Sequence, residues 1–114
     1  DTILDGSGDL TIGKFCTISA GVQIYTHDNV KQTVSSKRLP IERKPTFLGD
    51  NVYVGPHAVI TKGVTIGNSV IIGSFSLVNK NIPDNAIVMG QPAKQVGIVQ
   101  HLATGEINYK YFEK

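Results

Sequence analysis

Three histidines are the side chains of this chain best suited to move a proton near neutral pH, because free imidazole titrates there. His27 lies in the segment YTHDN, His57 lies in VGPHAV, and His101 lies close to the C-terminus. A histidine can take a proton from a hydroxyl or amine that attacks a carbonyl, and three histidines can also hold zinc. These three are far apart in the sequence, and no two form a close pair. We therefore expect base catalysis and no metal site.

The elements that must position these histidines follow from a six-residue repeat. Aliphatic residues lead each hexad: Leu48, Val54, Ile60, Ile66, Ile72 and Val78. Small or apolar residues stand four places after each of them: Val52, Ala58, Val64, Val70, Ser76 and Ile82. Six is not a helical spacing, and β-branched residues with interspersed glycines favour very short strands between tight bends. One such unit cannot bury its apolar side chains alone, so the repeat predicts a solenoid.

Three hexads would close one triangular coil of this solenoid. Each leading residue would then stack on the leading residue about eighteen places later, which is the period of one coil in such a repeat. Val54 is expected beneath Ile72, and Leu48 beneath Ile66. The prism interior is therefore predicted to consist of rows of aliphatic side chains.

The repeat holds its phase upstream and then fails once. Three further leading residues precede the gap: Ile12, Ile18 and Ile24. Between Ile24 and Leu48 the expected leading positions Ser36 and Glu42 are polar, and residues 30–47 carry many charges and two prolines. Such a composition cannot line a dry core, so residues 30–47 are predicted to leave the prism as a loop. Loops of this length are often functional, and His27 stands at the root of this one.

Composition excludes several classes of function. A formal net charge of +2 without a lysine or arginine cluster gives no footprint for nucleic acid. No run approaches the roughly 20 apolar residues that span a bilayer, so we expect no membrane partner and a cytoplasmic protein. Cys16 is the single cysteine and can form no internal disulfide. The first residue is Asp1, not methionine, as expected of a processed, trimmed or partial product.

The repeat also carries a family resemblance. The hexads LGDNVY, VGPHAV, ITKGVT, IGNSVI and IGSFSL, followed by VNKNIPDNAIVMGQPAK, resemble the hexapeptide-repeat acyltransferases. The closing segment is typical of their sugar and xenobiotic acetyltransferases. The resemblance implies an all-β fold, a left-handed parallel β-helix over residues 1–97 with the loop at 30–47. Residues 98–114 would form a C-terminal extension, as a short hairpin or as a strand lying on a neighbour.

The resemblance implies a function as well. Members transfer acetyl from acetyl-CoA to a hydroxyl or amino group of a sugar or nucleotide-linked sugar, and His27 matches their general base. Asp28 would point to the opposite strand face, so a backbone carbonyl is the expected partner of His27. Four further residues match coenzyme A positions: Ser74, Asn79, Lys80 and Lys94. Pro56 has no N–H where relatives offer one, which leaves the oxyanion donor unassigned. His57 is expected to be structural or to form an interface.

The sequence also predicts self-association, and it leaves two other functions open. About ten hexads would bury only a modest core in a monomer, and the resemblance implies a homotrimer with active sites between subunits. A non-catalytic assembly module would explain every repeat residue equally well, although not His27 at the root of a basic excursion. The γ-type carbonic anhydrases share the fold, but their zinc site resembles a His…His-x4-His pattern that this chain does not supply.

Overall fold

The computed structural model describes residues 1–113, and in it short strands visit three sheets in rotation. Sheet A contains β1 (Ile3–Leu4), β4 (Gln23–Ile24), β9 (Val59–Ile60) and β12 (Leu77–Val78). Sheet B contains β2 (Leu10–Ile12), β7 (Thr46–Leu48) and β10 (Thr65–Ile66). Sheet C contains β3 (Thr17–Ile18), β8 (Tyr53–Val54), β11 (Ile71–Ile72), β13 (Ala86–Gly90), β14 (Ala93–His101) and β15 (Ile107–Tyr111). The remaining elements are β5 (His27–Asp28), α1 (Val30–Val34) and β6 (Glu42–Arg43).

The predicted stacking of leading residues is confirmed. Ile72 pairs with Val54, and Ile66 pairs with Leu48, in parallel strands. Seven leading residues have no exposed surface: Ile24, Leu48, Val54, Ile60, Ile66, Ile72 and Val78. Burying an aliphatic side chain of this size contributes about 1.5–3 kcal/mol. The core is thus a column of aliphatic rows inside a three-sided coil of parallel strands.

The first turn of this coil is two residues longer than a regular turn of three hexads. Ile3 pairs with Gln23, which is 20 residues later, whereas Val59 pairs with Leu77, which is 18 residues later. The two additional residues lie in the segment between β1 and β2, where Asp5 and Ser7 are found. This segment is therefore free to leave the plane of its turn and approach the residues above it.

The excursion is more ordered than the loop predicted over 30–47, and it both begins and ends a few residues earlier. It contains α1 and the antiparallel pair β5–β6, so the chain is nearly all-β rather than entirely so. Its last residues return to the coil in β7, because Thr46 fills an interior position and is 1% exposed. The Thr46 hydroxyl donates to Tyr25 O at 2.8 Å and accepts from the Gly63 N–H at 3.1 Å. A threonine whose hydroxyl is satisfied in this way can stand in a core row, which the apolar pattern alone missed.

Sheet C continues beyond the last hexad. Strand β13 adds to β11 in parallel, and the chain then reverses at Gln91–Pro92 into β14, which is antiparallel. Strands β14 and β15 form a hairpin. The predicted boundary between residues 97 and 98 falls inside β14. The proline therefore ends the parallel coil without ending the sheet.

Candidate active site

His27 lies on one edge of the coil, where the chain leaves sheet A. The Tyr25 N–H donates to Ile60 O at 2.9 Å, and the Thr61 N–H donates to Val78 O at 3.0 Å. Residues 25–28, 61–62 and 79–80 therefore follow neighbouring strands at matching positions, and we call them the His27 edge. Adjacent strands lie about 4.8 Å apart, which places Asn79 roughly 10 Å from the level of Tyr25.

The ring of His27 is oriented by the elongated first turn. Its Nδ1 contacts Asp5 Oδ2, and Ser7 Oγ lies 3.3 Å from the same nitrogen. The side chain of His27 is 38% exposed and that of Asp5 is 12% exposed. The expectation of a backbone carbonyl partner was therefore wrong, because the two additional residues of the first turn bring a carboxylate within reach.

Asp5 is held in its ionised form. Its carboxylate accepts the backbone N–H of Ser7 at 3.0 Å and that of Thr26 at 2.9 Å. These two bonds, reinforced by His27 and the Ser7 side chain, hold the pKa of Asp5 well below its usual range, against a smaller opposing effect of burial. An ionised carboxylate can only accept hydrogen bonds. The hydrogen of a neutral His27 ring therefore lies on Nδ1, and Nε2 carries the lone pair.

Thr26 fixes the two segments against each other. It is fully buried, and its hydroxyl lies 3.0 Å from Asp5 O and 3.1 Å from Asp5 Oδ2. The same oxygen accepts the Gly8 N–H at 2.8 Å. A side chain at Gly8 would collide with Thr26 O, since a Cβ there would lie 2.4 Å away. These contacts hold the segments that carry Asp5 and His27 in a fixed relative position.

A shallow cavity opens beside His27. Its volume is about 260 Å³, and it is lined by Tyr25, His27, Asp28, Asn29, Thr61 and Lys62. Asp28 does not contact the imidazole through a hydrogen bond but accepts one from Lys62, with Nζ and Oδ2 2.6 Å apart. This bond to Lys62 is the main cause of the lowered pKa of Asp28 and of the raised pKa of Lys62. A small polar molecule could lie here within reach of His27.

His57 lies on a different edge, where the chain leaves sheet C. We call residues 55–57, 73–75 and 89–91 the His57 edge, because they come directly after the paired residues Val54, Ile72 and Val88. The His57 ring stacks on Phe75, with centroids 5.0 Å apart and planes inclined by 13°. On its other side lies Gly21, where a Cβ would come within 2.3 Å of Nδ1. Within residues 1–113 the ring makes no hydrogen bond.

The four coenzyme A candidates do not lie together on one chain. Asn79 and Lys80 belong to the His27 edge. Ser74 belongs to the His57 edge, and Lys94 pairs with Met89 two strands beyond β11 at that same edge. All four side chains are exposed. Each edge thus offers one ammonium group to solvent.

No metal centre is formed by the described part of the chain, in which no group of three or more His, Cys, Asp or Glu side chains could hold a metal ion. His101 ends β14, and its Nε2 lies 3.0 Å from Asn85 Oδ1. It is exposed and far in the topology from the other two histidines. The helix found in residues 1–113 is too short to cross a membrane.

Comparison with known proteins decides the family. The family described as "Bacterial transferase hexapeptide (six repeats)" matches residues 45–80. These residues belong to the hexapeptide-repeat transferase family. The match covers the uninterrupted hexads from the end of the excursion to Lys80, which include the whole of β7 to β12.

Several known proteins are similar to most of this chain. Galactoside O-acetyltransferase of Escherichia coli (strain K12) is 33% identical over 77% of the chain and 47% of its own length. Protein CapG of Staphylococcus aureus is 38% identical over 83% of the chain and 56% of its own length. A hexapeptide-repeat acetyltransferase of Vibrio cholerae, solved with acetyl coenzyme A, is 31% identical with a TM-score of 0.71. The matched region covers 76% of this chain and 48% of the Vibrio cholerae chain. The chain thus spans about half the length of the curated relatives it matches.

Sequence reasoning missed Asp5 and Lys62 at this site. The signal for Asp5 was a carboxylate slightly more than one coil before His27, hidden by the unequal first turn. The signal for Lys62 was a basic residue at the same edge position as Thr26, after the adjacent strand of sheet A. Both become visible only when the register of the strands is known.

Proposed function

We propose that this chain carries the catalytic part of an acetyl-CoA-dependent acetyltransferase whose acceptor is a sugar or a nucleotide-linked sugar. The contact between Asp5 and His27 carries the proposal, because it leaves Nε2 of a half-exposed imidazole as a free base beside a cavity. The similarity to acetyltransferases of galactosides and to a structure holding acetyl coenzyme A supports it.

His27 acts as general base in the proposed reaction. Its Nε2 takes the proton of the acceptor hydroxyl or amine as that oxygen or nitrogen attacks the thioester carbonyl of acetyl-CoA. The resulting imidazolium is stabilised by the ionised Asp5 at Nδ1, which also fixes the ring orientation. As the carbon–sulfur bond breaks, the proton passes from Nε2 to the departing thiolate. Acetyl is thereby moved to the acceptor, and His27 returns to its starting form.

Coenzyme A is proposed to bind along the exposed Ser74, Asn79, Lys80 and Lys94. Its phosphates are polyanionic, and the ammonium groups of Lys80 and Lys94 suit them through charge-assisted hydrogen bonds. The two lysines lie on different edges of one chain. A single coenzyme molecule would contact both kinds of edge most readily if two chains placed them side by side.

We therefore propose a homotrimer of left-handed parallel β-helices with its active sites between subunits. The His27 edge of one subunit would face the His57 edge of the next, and the small core of one coil supports self-association. Light scattering at micromolar concentration tests this arrangement. A monomer under those conditions would contradict it.

Release of free thiol from acetyl-CoA provides the test of activity. The acceptors to compare are nucleotide-linked amino sugars, free glycosides and chloramphenicol, since chloramphenicol acetyltransferases are also among the similar proteins. We expect the parent protein to release thiol when a sugar acceptor is present. We expect His27→Ala to lose most of this acceptor-dependent release. Absence of turnover with every sugar class, by a protein that binds coenzyme A, would contradict the proposed acceptor.

A further inference from the structure

A second charged cluster borders the cavity and takes no part in the proton transfer proposed above. Lys62 Nζ lies 2.6 Å from Asp28 Oδ2 and 3.8 Å from Glu42 Oε1. Glu42 in turn lies 3.4 Å from Lys31 Nζ through its other oxygen. The cluster thus joins the coil, through Lys62, to both strands at the root of the excursion and to α1.

Lys62 is the member of this cluster that the coil fixes in place. It directly follows Thr61, whose N–H is bonded to Val78 in the next strand of sheet A. The side chain of Lys62 is 19% exposed, against 61% for Lys31. A mostly buried ammonium is costly to leave without its carboxylates, whereas an exposed pair contributes little. Lys62 is therefore the anchor, and Lys31 is peripheral.

The carboxylates that Lys62 contacts belong to the two strands that hold His27. Asp28 follows His27 in β5, Glu42 pairs with Asp28 across the strands, and Arg43 pairs with His27. The Asp28 carboxylate also accepts the Val30 N–H at 3.1 Å. On the opposite side the imidazole meets Asp5 and Ser7, and the Tyr25 ring lies edge-on with centroids 6.4 Å apart. Charged and titratable groups thus face His27 from both sides, with Asp5 and Tyr25 on one side and Asp28, Glu42 and Arg43 on the other.

We propose that Lys62 is a positioning residue for His27, tying β5 and β6 to the coil and cancelling the negative charge of Asp28 and Glu42 beside the imidazole. The inference rests on the proposed function, since it takes His27 as the base. Without the ammonium group, the two carboxylates would favour the imidazolium form of the ring. The base would then be blocked by a proton at pH values where the parent is active.

The pH profile of kcat/KM for the acceptor tests this role. Lys62→Met removes the positive charge and is expected to move the acidic limb to higher pH by about half a unit. Asp28→Asn removes a negative charge and is expected to move the limb to lower pH. Lys62→Arg keeps the charge and is expected to retain the parental limb. Lys110→Met, on the exposed β15, is the matched control and leaves the limb in place.

A split between kinetic constants sharpens the test. Lys62→Met is expected to lower kcat at pH 7 by up to about threefold, the most that a half-unit shift allows, while the KM for acetyl-CoA stays parental, because the changed group acts on the base. Unmoved limbs in both Lys62→Met and Asp28→Asn would overturn the inference. If Lys62→Met does not fold, the direction of the Asp28→Asn shift decides alone. Failure of the proposed function has a different signature, namely His27→Ala with parental turnover.

Discussion

His27 and His57 occupy the same place in their hexads, three residues after a leading aliphatic side chain, yet they have opposite surroundings. His27 is held by the carboxylate of Asp5 at one nitrogen and leaves the other nitrogen free at a cavity. His57 is stacked between Phe75 and the backbone of Gly21. The first environment suits the proposed role of an oriented base, and the second packs the ring flat between its neighbours.

The difference shows that position in the repeat does not decide chemistry. Every coil repeats the same interior rows, so the interior cannot distinguish one turn from the next. What distinguishes the two histidines is the turn directly beneath each, which is elongated and acidic under His27 and ends in a glycine under His57. In such a fold, the environment of an edge side chain is determined by its neighbours in the adjacent turn.

Replacing His27 should have the largest effect on activity. His27→Ala is expected to lower kcat by about 10²–10⁴-fold, the usual share of general acid–base catalysis, with little change in coenzyme A affinity. Steady-state kinetics and calorimetric titration with coenzyme A measure the two quantities. Near-parental turnover of this variant from pH 6 to 9 would remove the base assignment and favour an amine acceptor that binds already deprotonated.

Replacing Asp5 should have the next largest effect, because it separates the oriented base from a bare histidine. Asp5→Asn keeps the shape but loses a charged hydrogen bond, and we expect kcat to fall by roughly 10–100-fold. The bonds from Ser7 and Thr26 keep the pKa of Asp5 so low that its carboxylate stays charged throughout the neutral range. The acidic limb of the parental profile should therefore follow one group, His27, and should move to lower pH in Asp5→Asn.

If the acidic limb of the pH profile has the same slope and position in the parent and in Asp5→Asn, the contact with Asp5 has no electrostatic role. Ser7→Ala is the matched control for this experiment. It removes the neighbouring hydroxyl at 3.3 Å from Nδ1 without changing charge. A much smaller loss of kcat is expected for it.

The proposed coenzyme A contacts lie on both edges, through Lys80 on the His27 edge and Lys94 on the His57 edge. Lys80→Ala and Lys94→Ala are each expected to weaken coenzyme A binding by about 10-fold while leaving the melting temperature unchanged, since both side chains are exposed. Titration with coenzyme A and with dephospho-coenzyme A measures the loss. If the parent binds the two cofactors equally well, neither lysine serves the 3′-phosphate.

The smallest expected effect belongs to His57. His57→Ala should change kcat by less than about twofold, because its ring contacts Phe75 and Gly21 and no acid or base. The same kinetic assay as for His27→Ala provides the measurement. A loss comparable to that of His27→Ala would show that the two edges share the chemistry.

Most of the fold could be predicted because the repeat is a physical period. Rows of aliphatic side chains require one register, so the pairs of Leu48 with Ile66 and Val54 with Ile72 followed from counting. The period could not identify Thr46 as a core residue, since its hydroxyl is satisfied by Tyr25 and Gly63 from other parts of the chain. Polar interior residues depend on partners that spacing does not reveal.

Of the candidate site, only His27 could be proposed from the sequence. His27 could be selected from its place at the root of the excursion, but its partner lies in a turn of unequal length that counting in sixes leaves out of phase. Lys62 reaches Asp28 across 34 residues of sequence, through a contact that exists only once the coil has formed. Side-chain partners of this kind are set by three-dimensional register and by the direction of each corner.

The reversal at Gln91–Pro92 bears on how these molecules behave in concentrated solution. A stack of parallel strands offers at its end the same row of hydrogen-bonding groups that another turn would use, which invites unlimited end-to-end polymerisation. In sheet C this row is covered by β14, which runs the opposite way, and the outermost β15 carries a lysine, Lys110. The outermost β15 runs in the same direction as the coil strands, but the hairpin lengthens sheet C alone, so a second coil could not meet the ends of all three sheets at one level. The hairpin therefore acts as a terminator against fibre growth.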